Sequence, residues 1–140
     1  MKPIEFFDND KQLRERMEYW IPILGLSDWE IVVKLAAKEE MDDPHYAGQC
    51  VSNQIQKSAV IFLRKDAKEI SKDAYFKQYQ EQVLLHELLH CKLKLYVSDN
   101  YEEAITELVH HTFIEDMAKA IFYAKYNMSK EDMRKELPKW

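Results

Sequence analysis

The period of hydrophobic and polar positions changes along the chain. Leu13, Met17 and Trp20 recur at helical spacing and predict a first helix over roughly residues 11–20, capped by Asp8 or Asp10 and ended by Pro22 and Gly25. Over 29–35 (WEIVVKL) apolar and polar residues alternate and β-branched residues collect, which predicts a strand. A polar loop over 38–44 follows. Two further strands, 46–55 and 58–63, are expected around a turn near Gln56-Lys57, with AVIFL the most apolar run. After Lys65 the period turns helical. Ser71 or Asp73 can cap a helix reaching about Tyr96, and Ser98-Asp99-Asn100 breaks it. Another long helix over about 101–126 follows, with Ile105, Leu108, Val109, Thr112 and Phe113 as its expected buried stripe. Ser129 and Asp132 have capping-box spacing for a short last helix. The expected class is α+β: a small mixed or antiparallel sheet of about three strands, packed on long helices.

Composition narrows this further. The 140 residues contain no repeat or linker and suit a single domain over 1–140 with one core. Only two glycines and four prolines occur, and none lies between Ala67 and Pro138, which favours long helices there. The net charge of −5 is spread over interleaved acids and bases without a basic patch, so nucleic acid is not expected as a partner. Cys50 and Cys91 alone do not make a secreted disulfide framework, and Cys91 is expected to pack in the core. The N-terminal MKPIEFFDNDKQ lacks the apolar stretch of a signal peptide, and no apolar run is long enough for a membrane span. These features lead to the expectation of a cytoplasmic protein. Its oligomeric state is not legible from the sequence.

The chemistry concentrates in His86-Glu87-Leu88-Leu89-His90, an HExxH motif inside an apolar run that includes Val83, Leu84, Cys91, Leu93 and Leu95. Two histidines four apart on a helix lie one turn apart on one face, where their imidazoles can hold one metal ion, usually zinc. The intervening Glu87 is then the candidate general base acting on water. The bland alternative is a pair of partly buried histidines on an ordinary core helix.

A catalytic zinc normally takes three protein ligands. The helix after the motif is the natural source of the third, and Glu103, Glu107, His110 and Ile114 share one of its faces. Glu103, in the first turn after a short loop, is the preferred ligand. Glu107 is the alternative ligand, or a group that orients one, and His110 is the non-carboxylate option. Each also has an ordinary reading: acidic residues are favoured at a helix start by the dipole alone, and His110 and His111 can be surface or packing residues. His110, Tyr101, His45 and Tyr46 are candidates to steady an oxyanion.

The HELLH helix, preceded by strands and followed by a helix bearing glutamate, resembles the zincin metallopeptidases. Within them it is similar to the gluzincins, whose third ligand is a Glu on the next helix. The resemblance covers roughly residues 29–124. Glu102-Glu103-Ala104 after a short loop also resembles the small ImmA/IrrE-type metallopeptidases and the compact minigluzincins. The CKLKLY that follows His90 excludes the metzincin branch, which has Gly and His there. The resemblance implies a minimal zincin-like fold, one zinc per chain and a peptide or protein substrate. It also implies an edge strand beside the cleft, a place that 59–63 fits, with free backbone groups for strand addition. Two other functions compete with the peptidase. One is a zincin-fold metal-binding module with weak or no turnover. The other is a metal-free interaction protein using Met117, Ala120, Ile121, Phe122 and Tyr123.

Overall fold

The computed structural model describes residues 1–93 and 103–135, with the backbone alone at 103, 104 and 106. The architecture is α+β, and among the described residues it has four helices and a three-stranded mixed sheet in the order β1-β3-β2. Helix α1 spans Asp10–Ile23 and buries Leu13, Met17 and Trp20, the predicted stripe. Its cap is Asn9 rather than Asp8 or Asp10: the Asn9 Oδ1 accepts the Gln12 N–H at 2.9 Å. The helix continues to Ile23 although Pro22 lacks the N–H that would bond to the Glu18 carbonyl, and Gly25 takes the chain out at φ +71°.

Strands β1 (Glu30–Ala36), β2 (Gly48–Asn53) and β3 (Ser58–Arg64) fall within a few residues of expectation. β1 pairs parallel with β3, and β2 pairs antiparallel with β3 through a tight turn at Lys57, φ +53°. Ala59, Ile61 and Leu63 alternate inward and are buried, while Val32, Val60 and Val51 form a cross-strand row on the opposite, exposed face. The expected placement of 59–63 at an edge is therefore corrected. β3 is the central strand, with backbone groups engaged on both sides, and β2 is the edge strand that carries the cleft wall.

The helix that carries the motif, α3 (Gln80–Leu93), begins later than the pattern predicted. A four-residue helix α2 (Ala67–Ile70) and an extended stretch precede it. Long-range bonds hold that stretch open: the Lys77 N–H donates to the Met133 carbonyl at 2.8 Å, and Phe76 bridges Arg134. The first N–H groups of α3 lack intrahelical partners and find them in the N-terminal segment. Gln80 N–H donates to the Glu5 carbonyl and Glu81 N–H to that of Ile4. Leu84, Leu85, Leu88 and Cys91 then bury the face of α3 that packs on the sheet and α1. Each leucine contributes roughly 2 kcal/mol, which fixes the rotation of the helix about its axis.

Helix α4 spans Glu103–Tyr126 and packs on α3. The stripe expected to be buried is exposed, at 65% for Ile105, 68% for Leu108, 63% for Val109 and 51% for Phe113. The core instead takes Ile114, Ala118 and Phe122, four residues apart. Ile105 and Ile114 are nine residues apart, half a turn round the helix, so the two apolar faces point in opposite directions. The expected capping box forms only in part: the Ser129 N–H donates to Asp132 Oδ2 at 2.7 Å, while the 3-10 turn that follows, Glu131–Met133, starts from Lys130 without a side-chain cap. Among the described residues no helix is long and apolar enough to cross a membrane.

One buried polar hub ties these layers together. Glu81 is fully buried and accepts from Ile4 N–H at 2.9 Å, Trp20 Nε1–H at 3.0 Å, the Arg16 guanidinium and the Tyr126 hydroxyl. It thus joins the N-terminal segment, α1, α3 and α4. Burial and this carboxylate push the Tyr126 hydroxyl well above its ordinary pKa. Glu81→Ala leaves these donors without their acceptor and should cost about 3 kcal/mol or more. Thermal unfolding checks this: a fall in Tm of about 10 °C is expected, and an unchanged Tm would show that the hub adds nothing.

Candidate metal centre

His86, Glu87 and His90 occupy the turns of α3 that face away from the leucine core. Fixing that core turns His86 and His90 toward α4 and Glu87 toward β2. The two Nε2 atoms point at each other across 3.1 Å, and the rings lie 4.9 Å apart by centroid. His111 on α4 completes the group: one ligand nitrogen from each of His86, His90 and His111 falls within 4.8 Å of the others. Two nitrogens bound tetrahedrally at the usual zinc–nitrogen length lie about 3.3 Å apart, close to the His86–His90 separation. The donor set suits zinc, which accepts three imidazoles with a fourth position left over.

Glu115, one turn after His111, fixes the orientation of His86. Its Oε2 lies 2.6 Å from His86 Nδ1, and its Oε1 accepts from Gln82 at 3.2 Å. This is the arrangement in which a carboxylate holds one ring nitrogen and leaves the other for a metal. The bond to His86 holds the Glu115 carboxyl below the usual range. Burial draws the His86 pKa down, but the Glu115 hydrogen bond, helped by the charges of Glu87 and Glu115, raises it overall. His110 is shifted down by partial burial and by the neighbouring His111 and His86.

Glu87 is 6% exposed and lies where β2 crosses α3. A Cβ on Gly48 would meet Val83 Cγ1 at 2.8 Å, Leu63 Cδ2 at 3.0 Å and Glu87 Cγ at 3.2 Å, so glycine is what lets the strand come this close. Burial pushes the Glu87 carboxyl up to about 8, against the pull of His86. A cation held by the neighbouring histidines favours its ionised form. Behind this wall Cys91 is buried as expected, its Sγ 3.7 Å from that of Cys50 on β2.

These groups open into a cavity of about 1080 Å³ lined by β2, α3, α4 and the segments 76–79 and 130–134. Several residues singled out from the sequence line it: His45, Tyr46, Glu107 and His110, besides the motif itself. His45 is exposed and engages Asp43 at 3.0 Å through Nδ1. Glu107 is exposed, one turn before His111, and is not in the converging group. The preferred third ligand, Glu103, is the first residue of α4, about 12 Å along the helix axis from His111, and its side chain lies outside the described residues. Tyr101 lies outside them altogether. Among the described residues the third group that converges with His86 and His90 is thus a histidine, not a carboxylate.

His111 and Glu115 are the residues that sequence reasoning missed. Their signal was present in the spacing: His111 and Glu115 are four apart, as His86 and His90 are, and so share a helix face. No protein-family model matches this chain, and neither the curated proteins nor the solved structures compared with it include a significant match.

Proposed function

We propose that this protein is a zinc-dependent metallopeptidase of zincin-like design. The observation that carries the reading is the convergence of His86, His90 and His111 beside the buried carboxyl of Glu87, in the lining of a cavity of about 1080 Å³. His86, His90 and His111 would hold the ion, with Glu115 orienting His86. Zinc, when bound, supplies Lewis-acid activation of water and of the scissile carbonyl. Glu87 accepts the proton from water and returns it to the leaving amine. The exposed edge of β2 offers backbone groups to an extended substrate. His110 and Tyr46 line the cavity as donors toward a developing oxyanion. A three-histidine set departs from the glutamate ligand that the gluzincin resemblance implies. The likeness therefore rests on the HExxH helix, the sheet over it and the helix that follows.

The test is metal content. The purified protein should hold about one zinc per chain after mild dialysis, and the His86→Ala/His90→Ala double variant should hold none. Absence of zinc from the wild type, or equal zinc in the variant, would remove the metal-centre reading. A second reading, a metal-binding interaction module without turnover, is favoured by one observation: the exposed Ile105, Leu108, Val109 and Phe113 face of α4. Zinc retained without any peptide cleavage would shift the conclusion to that module.

A further inference from the structure

The cavity changes charge along its length. Residues spaced every four along α4 line it: Glu107, His111, Glu115, Lys119 and Tyr123. Glu107 and Glu115 flank His111, Glu115 being engaged by His86, and the sign turns positive one turn further on, at Lys119. Lys119 lies eight residues beyond His111, about 12 Å along the axis. Three more cations, Lys77, Lys130 and Arg134, line the same cavity from two other segments of the chain. The fold brings those segments together: Phe76 bridges Arg134, and Lys77 N–H donates to the Met133 carbonyl.

This basic end is only partly neutralised from within: Glu115, one turn from Lys119, feels its charge but is hydrogen-bonded to His86. Among the described residues no carboxylate forms an ion pair with Lys77, Lys119 or Lys130. Arg134 meets Glu131 at 3.4 Å in an exposed pair, which neutralises little. Of the carboxylates lining the cavity, Glu87 is buried beside the histidines, Glu115 is engaged by His86, and Glu107 lies on the far side of His111. A chain of net charge −5 thus gathers four cations in the lining of this one cavity. Cations along a low-dielectric wall focus potential and raise the local concentration of anions.

We propose that this end of the cavity selects peptides carrying acidic side chains three to four residues from the scissile bond. The distance follows from geometry. An extended peptide advances about 3.3 Å per residue, so about 12 Å from the histidine cluster corresponds to the third or fourth residue. The proposal names the substrate class of the peptidase reading and rests on it for the scissile bond, while the charge selection itself is a matter of binding. Nucleic acid is disfavoured as the ligand. The cations sit inside a cavity that also holds the hydrolytic groups, and the rest of the chain carries excess negative charge.

The experiment uses the full-length Glu87→Gln protein and two fluorescein-labelled peptides of equal length, one with a block of glutamates and one with glutamines in their place. Fluorescence anisotropy should show the acidic peptide bound about tenfold more tightly at low salt, with the advantage shrinking as salt rises. Lys119→Glu/Lys130→Glu, at two exposed positions, should abolish or reverse the preference and leave the zinc content unchanged. Equal binding of the two peptides overturns the proposal, as does an acidic preference that survives the double variant. A single-stranded oligonucleotide of matching charge is the third probe. Tighter binding of it than of the acidic peptide, dependent on Lys119 and Lys130, would make nucleic acid the ligand and the proposal wrong. Wild-type protein is then incubated with the acidic peptide. Acid-selective binding without cleavage leaves the charge selection standing and removes the peptidase reading instead.

Discussion

Glu87→Gln should lower peptide cleavage by about two orders of magnitude or more while leaving the fold and bound zinc in place. The amide keeps the shape of the side chain, which is wedged between α3 and β2 at Gly48, so the packing there is preserved. It removes the buried carboxyl that lines the cavity beside the histidine cluster, whereas Glu107, which also lines it, is exposed. Glu115 cannot substitute, because its carboxylate is bound to His86 Nδ1. The measurement is turnover of a quenched fluorescent peptide library, with zinc content and circular dichroism followed in parallel. Wild-type turnover by a folded, zinc-loaded Glu87→Gln protein would show that another group takes the proton.

His111→Ala should release zinc, with affinity falling more than about 100-fold, because a direct metal–nitrogen bond is lost. Glu115→Ala should weaken binding by about 10- to 100-fold, the usual effect of freeing a ligand from the group that orients it. Glu103→Ala should leave zinc nearly unchanged, since its backbone begins α4 about two turns before His111. A chelator-competition titration of the three variants ranks them. If Glu103→Ala empties the site and His111→Ala does not, the ligand set is two histidines and a glutamate, and the histidine cluster on α4 is only a neighbour of the ion.

The reach of the sequence differs from element to element. Helix α1 and the three strands were legible to within a few residues because their periods are local: the spacing of Leu13, Met17 and Trp20, and the alternation through 29–35 and 58–63. The start of α3 was not, since nothing in the local pattern records that the carbonyls of Ile4 and Glu5 would cap it or that Lys77 would bond to Met133. Helix α4 carries two apolar faces half a turn apart. Periodicity identified one of them, and packing buried the other. The same rotation presented His111 and Glu115 to the motif helix.

By itself the sequence determined that His86 and His90 share a helix face with Glu87 between them, and that the chain is α+β without a long apolar span. These follow from spacing along a single element, where 3.6 and 2 residues per turn dictate which side chains lie together. The tertiary structure alone decided that β3 is the central strand and β2 the edge strand beside the cleft, and that His111 faces the histidine pair while Glu115 holds His86. It also gathered Lys77, Lys119, Lys130 and Arg134 from three segments into the lining of one cavity. Strand order and the rotation of one helix against another are set by which surfaces become buried together. That choice depends on contacts between residues far apart in the chain, and no local period encodes it.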